Sequence, residues 1–379
     1  MERVSLKERG IMNYEEAMQY IHAVQWAGHK PGLTRTRTLL AALGDPHKRL
    51  KFVHVAGTNG KGSTAAMLAS CLQAAGYRVG LYTSPFINRF NERIQVNGEQ
   101  ISDEELVRLV ETIRPAADAM ADVPTEFEII TALGMLCFAE QHCDIVVLEV
   151  GLGGALDSTN VIDPPECAVI TALGMDHVKE LGPTIADIAA AKAGIIKPGS
   201  PVVSYGGVPE ADAVIARTAA EQNAPLHVVD FSKLTVEGGD LDEVTFDFDG
   251  LNGVRLPLIG SYQPRNAAVA ITVNLFYLGQ IQSLVRNTTT TSVMELATAR
   301  ARYLDECLTS DQNSVKSLAH FIADITPQEA RDQVKDFIST HEAAAAWIRS
   351  KDGTTWCSSS ETDLYDPALE DELFGPAMA

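Results

Sequence analysis

Apolar positions recur at helical spacing over residues 14–27 (YEEAMQYIHAVQWA), and Gly28 closes the run. Pro31 and Gly32 read as a turn into a second helix over 31–43. Residues 51–56 (KFVHVA) switch to a short β-type pattern. The glycine-rich stretch GTNGKGS follows at 57–63, an alanine-rich helical pattern at 64–75, and a further strand, RVGLYT, at 78–83. Strand, glycine loop, helix and strand in that order make a βαβ unit.

The alternation continues. Helices are expected over 126–141, 184–194 and 209–223, and strands over 144–150, 167–171, 201–205 and 225–230. DIVVLEV at 144–150 reads as a strand of the buried parallel kind. Residues 232–258 alternate with turn signals as a β-meander does, and 264–278 return to a helix opened by Pro264. The pattern predicts an α/β fold with a P-loop-type, mostly parallel sheet flanked by helices. After about residue 280 it changes: a threonine run at 287–292 reads as linker, two or three helical patterns follow, and an acidic, weakly apolar end reads as disordered. The expected domains are 1–280 as the α/β unit, 281–300 as linker and 301–379 as a helical segment with an acidic disordered tail.

Composition narrows the chemistry more than the fold. The chain has 379 residues, 46% hydrophobic and 21% charged, as an ordinary globular protein does. A formal net charge of -20 argues against sequence-independent nucleic-acid binding, which needs a basic face. Anionic substrates stay open, because local clusters can oppose the global sign. The six cysteines, at 71, 137, 143, 167, 307 and 357, form no CxxC pair and read as reduced intracellular thiols. Cys71, Cys137 and Cys167 sit in apolar runs and read as packing residues. The first residues hold no apolar signal-type segment, and no uncharged apolar run approaches ~20 residues, so no membrane association is expected and the cytoplasm is the expected compartment.

The candidate chemistry starts at Gly57, Thr58, Asn59, Gly60, Lys61, Gly62, Ser63 and Thr64, which follow a strand and open a helix. Glycines let backbone N–H groups converge on an anion, a helix N-terminus adds partial positive charge, and Lys61 supplies a full charge for the β- and γ-phosphates. A hydroxyl can reach a metal ion. The spacing differs from GxxxxGK[ST], since a glycine separates the lysine from the serine. Glu149 lies in an otherwise apolar strand, where a carboxylate is costly unless it is paired, hydrogen-bonded or bound to a cation. Ser84-Pro85 after a strand would sit at the carboxyl end of the sheet, as a site residue or a simple turn. His177, just past another strand, reads as a structural hydrogen-bonder or as a ligand.

HVAGTNGKGST resembles the phosphate loop of the Mur ligase superfamily, in its folylpolyglutamate synthase/dihydrofolate synthase branch. The resemblance runs from about Asn13 to about Gln280 and is carried also by YTSPFINRFNERIQVNG, TEFEIITALGMLCFAEQHCDIVVLEVGLGGALDSTN, ITALGMDHVKELGPTIADIAAAKAGIIKPGSP and LIGSYQPRNAAVAI. It implies a Mur ligase central domain and an ATP-dependent amide ligase that adds L-glutamate to dihydropteroate or a folyl(poly)glutamate through an acyl phosphate. It also implies ATP and two Mg²⁺ ions as cofactors, one ion on Ser84 and Glu149, the other on His177 and a carbamylated Lys192. Lys61, Lys192 and His177 are the implied catalytic residues; Ser84, Pro85, Phe86 and Asp157 the implied contacts to the pterin acid; and Asn266 lies near the adenine. The expected partners are these small molecules, with no nucleic acid and no membrane, on a monomer. A cell-wall Mur ligase is a weaker alternative, opposed by the SPF, EFE and GLGGALDSTN segments.

Three positions depart from the family pattern: Ala155 stands where arginine is usual, Ala191 where glutamate is usual, and Tyr262 where histidine is usual. The family's Rossmann-like second domain, with its linker arginine and DGAHNP-like motif, is not recognisable after residue 280. The chain is therefore expected to be a truncated, fused or frame-shifted form. The alternative to a working ligase is an ATP- or folate-binding remnant without turnover.

Overall fold

The computed structural model describes residues 12–23, 32–239 and 243–275, and the backbone of 345–349 and 355–359. The elements, in chain order, are α1 (Tyr14–Ala23), α2 (Thr34–Ala42), β1 (Phe52–Ala56), α3 (Lys61–Ala74), β2 (Val79–Tyr82), β3 (Ile94–Val96), β4 (Glu99–Gln100), α4 (Asp103–Asp118), α5 (Glu126–Glu140) and β5 (Ile145–Glu149). Then come β6 (Cys167–Ile170), α6 (Val178–Leu181), α7 (Ile185–Ala193), β7 (Val202–Ser204), α8 (Pro209–Glu221), β8 (Leu226–Val228), β9 (Leu234–Gly239), β10 (Val244–Phe248), β11 (Leu251–Leu256) and α9 (Gln263–Val273).

Eight strands form one sheet in the order β4-β3-β2-β5-β1-β6-β7-β8. From β2 to β8 the neighbours are parallel; β3 and β4 add an antiparallel edge. The parallel sheet bears out the α/β expectation, while the edge pair and α4 are not assigned in the sequence reading.

Strand alternation sorts the two faces. In β5, Val146 and Leu148 join the core under α4 and α5, whereas Ile145 and Val147 join the core with α3 and α9. The meander β9–β11 closes this second core through Phe246, Phe248 and Leu256. α7 and α8 cover β6 and β7 through Ala193, Ile215 and Ala219. α5 is buried nearly all round, the mark of a helix inside the core. Its start is fixed by a capping box in which Thr125 and Glu128 exchange side chain-to-backbone hydrogen bonds. Cys137, Cys143 and Cys167 are buried, and burial pushes the Cys137 thiol up to about 12, so packing is their role.

The chain divides into Met1–Arg302 and Tyr303–Ala379. Within the second unit the described residues are an antiparallel hairpin, Ala345–Arg349 with Thr355–Ser359, where a helical segment was expected. The expected linker at 281–300 and the acidic tail lie outside the described residues. Among the described residues no helix is long and apolar enough to cross a membrane.

Candidate functional site

Four adjacent strands, β2, β5, β1 and β6, end at the same edge, and the segments leaving them carry the predicted residues. Open parallel sheets place ligands outside the carboxyl ends of their strands, where the strand order reverses.

The loop after β1 is fitted on three sides. A Cβ on Gly57 would overlap Thr171 Oγ1 at the end of β6. Gly60 has a left-handed φ of 81°, and a Cβ there would lie 2.5 Å from Asn266 Oδ1 of α9. A Cβ on Gly62 would lie 3.5 Å from Glu149 Oε2 at the end of β5. The amides of Thr58 and Asn59 both donate to Ala172 O, at 3.0 and 3.1 Å. They brace the loop against the β6 exit rather than face an anion. The N–H groups of Lys61, Gly62 and Ser63, at the start of α3, have no partner within the helix and are left for a ligand. Lys61 Nζ donates to Thr58 O of the same loop at 3.1 Å. Thr64 is fully buried and its Oγ1 has no hydrogen-bond partner among the described residues.

Glu149 is 3% exposed, and its Oε2 accepts the Ser84 backbone N–H at 3.1 Å. Burial raises its carboxyl to about 7 against that hydrogen bond and the charges of Lys61 and Arg93. A buried carboxylate held so uneasily beside the glycine loop can hold a divalent cation. Pro85 follows a cis peptide bond, and Phe86 is partly exposed, its ring facing the Phe90 ring.

Lys192, on α7, is 3% exposed and donates from Nζ to Gly57 O at 2.7 Å. Burial and then the charge of Lys61 lower its ammonium to about 8. An ammonium does not fit a metal site. His177 is exposed, in a left-handed conformation with φ 47°, and its Nε2 lies 3.5 Å from Asp176 Oδ2. The structure thus places Lys192 against the loop and leaves His177 exposed at the start of α6. Among the described residues no group of three or more His, Cys, Asp or Glu is arranged to hold a metal.

Asp157 is buried, and its oxygens already accept from Leu152 N, Thr159 N and Thr159 Oγ1 at 2.9, 2.9 and 2.5 Å. It clamps the GLGG turn after β5. Burial raises its carboxyl, opposed by these hydrogen bonds. Thr159 spends its one hydroxyl hydrogen on Asp157, so fully buried His54 donates to Thr159 Oγ1 through Nε2, at 2.9 Å. The family departures Ala155 and Ala191 are neighbours, with Ala155 N donating to Ala191 O at 2.8 Å. Tyr262 is exposed and precedes α9.

Two residues escape motif reasoning. Glu92 is buried and accepts the backbone N–H groups of Ile87, Asn88 and Arg89 at 2.8, 3.0 and 2.9 Å, folding the segment that carries Ser84 and Phe86. Arg93 stacks its guanidinium over the Phe86 and Phe90 rings, 5.1 and 5.8 Å from their centroids, with Nε and Nη1 unpartnered among the described residues. Acceptance of backbone amides leaves no sequence signal, but the NER triplet inside a recognised segment marks both positions.

Comparison with known proteins agrees with this geometry. Residues 55–274 match the Mur ligase middle domain. A dihydrofolate synthase/folylpolyglutamate synthase of Bacillus subtilis is 47% identical over 268 residues, covering 68% of this chain and 62% of that protein. A folylpolyglutamate synthase of Lacticaseibacillus casei is 45% identical over 281 residues, covering 72% and 65%. The chain thus spans under two thirds of the length of these relatives. Among solved structures, the apo form of L. casei FPGS superposes with a TM-score of 0.68 at 41% identity, over 76% of this chain and 72% of that one. An FPGS complex with AMPPCP and folate gives 0.69 at the same identity and coverage. The middle-domain match covers more than half of the sequence, and the chain belongs to the Mur ligase family, on its folylpolyglutamate/dihydrofolate synthase side.

Proposed function

We propose that the chain uses ATP to join L-glutamate to a pterin-bearing carboxylic acid, dihydropteroate or a folyl(poly)glutamate. The observation that carries this reading is the meeting of Lys61, the free amides opening α3 and the buried Glu149 carboxylate at the ends of adjacent strands. The acid's carboxylate attacks the γ-phosphorus of ATP and ADP leaves. The glutamate amine, having lost a proton, then attacks the acyl phosphate, and phosphate leaves as the amide forms. Lys61 and the α3 amides offset negative charge on the transferring group. Phe86 offers an exposed aromatic ring for the pterin acid, backed by the buried Phe90, and Glu92 holds their segment in shape.

Glu149 and Ser84 would hold one Mg²⁺, which when bound adds Lewis-acid neutralisation of phosphoryl oxygens. A second ion fits only if Lys192 carries CO₂, which turns an ammonium into an anion with oxygen donors, and His177 would be its other ligand. A lysine titrating at about 8 is partly neutral at neutral pH, the form that adds CO₂. The working form is proposed as a monomer.

Phosphate release with ATP, glutamate and either dihydropteroate or tetrahydrofolate tests the proposal. Release that depends on glutamate supports it. The alternative is ATP or folate binding without turnover. Magnesium-dependent ATP binding with no glutamate-dependent release would select that reading instead.

A further inference from the structure

Gln263 has no task in the chemistry above, yet it is built into the floor of the loop. It is 7% exposed and donates from Nε2 to Ser63 Oγ at 3.3 Å. Asn266, 2% exposed, donates from Nδ2 to Gln263 Oε1 at 3.0 Å, while its own Oδ1 lies against Gly60. Buried amides cost desolvation unless their polar atoms are satisfied, so the pair is a specified feature.

The direction of these hydrogen bonds matters. Asn266 supplies a donor to Gln263 Oε1, which turns Gln263 Nε2 toward Ser63. A serine hydroxyl has one hydrogen and two lone pairs. The Gln263 N–H fills one lone pair of Ser63 Oγ, so the hydroxyl hydrogen cannot point back toward α9. It is left available to a ligand at the helix start, where the amides of Lys61, Gly62 and Ser63 have no partner within the helix. Ser63 is thereby pre-set as a donor to an anion, with one lone pair left for a cation. We infer that Gln263 is a positioning residue for nucleotide binding: it fixes the orientation of the Ser63 hydroxyl, and Asn266 locks Gln263 in the rotamer that does so. This rests on the proposal that the 57–64 loop takes ATP.

Calorimetric titration of the full chain with MgATP tests it, using the wild type, Gln263→Glu, Gln263→Met, Ser63→Ala and the two double variants. Gln263→Glu presents an acceptor in place of the donor, and Gln263→Met keeps the length without either. Each should weaken MgATP binding about tenfold, the worth of one oriented hydrogen bond, with the larger loss for Gln263→Glu. In the Ser63→Ala background both losses should shrink to about twofold or less, because the hydroxyl they act through is gone. Equal losses in both backgrounds would mean a merely structural role and would overturn the inference. So would wild-type affinity in both single variants. A wild type that binds no MgATP overturns the nucleotide proposal itself, a different result from either.

Discussion

Glu149 shows how a single side chain divides stability from function. Its carboxyl is raised to about 7 because burial penalises the charged form. At pH 8 the metal-free chain therefore carries an ionised group it would fold more easily without. Glu149→Gln should raise unfolding stability at pH 8 by about 1–3 kcal/mol, read from urea denaturation without magnesium. The same variant should lose the magnesium-dependent part of its ATP affinity. A destabilised variant would show that Glu149 is satisfied by protein contacts alone. His54 runs the opposite way on the pH axis. Burial, and then the charge of Lys197, lower it to about 3, so the folded chain keeps it neutral. Above the ordinary value of 6.5 neither state binds the proton and pH has no effect through this group. Below 6.5 the unfolded chain takes up a proton that the folded chain refuses, and stability falls by about 1.4 kcal/mol per pH unit down to about pH 3. His54→Gln should flatten the stability profile between pH 6.5 and 5 by about 2 kcal/mol. An unchanged slope would place the acid sensitivity elsewhere.

At the scale of elements, the parts with strong periodicity or glycine punctuation are legible in the sequence. β1, the loop, α3 and β2 fall where the pattern puts them, with α3 starting at Lys61 rather than 64. α4 is also legible in principle: Ser102 caps it, acidic residues open it, and Leu106, Leu109, Val110 and Ile113 form its buried stripe. It carries no chemistry, so a motif search passes over it. β3 and β4 span only three and two residues, too short for alternation to register. Of the site, residue identities are readable but hydrogen-bond partners are not. Nothing in GTNGKGST says that the amides of Thr58 and Asn59 are committed to Ala172, or that Asp157 spends its oxygens on its own turn. Those facts depend on which strand lies next to which. Gly60→Ala tests the packing between the loop and α9. Its left-handed φ and the 2.5 Å approach to Asn266 should together cost about 1–3 kcal/mol of stability and weaken nucleotide binding at least tenfold. A melting temperature and MgATP affinity equal to wild type would show that the loop adopts a different backbone in solution.

For the whole molecule the governing quantity is charge. With a net -20, the chain as a whole repels the anion that the loop attracts locally. The local attraction acts over a few ångströms, whereas the global repulsion is screened with a Debye length that falls from ~30 Å at 0.01 M to ~8 Å at 0.15 M. The association rate of MgATP should therefore rise between these salt concentrations, measured by stopped flow with a fluorescent analogue. A falling rate would mean that the field of Lys61 and Lys192 reaches beyond the site and dominates the encounter.

The fit of two loop glycines has an evolutionary consequence. Gly57 is closed by Thr171 and Gly60 by Asn266, neighbours that are far apart in the chain, whereas a Cβ on Gly62 would meet Glu149 at ordinary contact distance. A descendant that gains a side chain at Gly57 or Gly60 must therefore concede bulk at a distant, unrelated position. Drift in the loop is thus tied to drift in two separate segments, and lineages that lose nucleotide affinity should show paired changes rather than isolated ones.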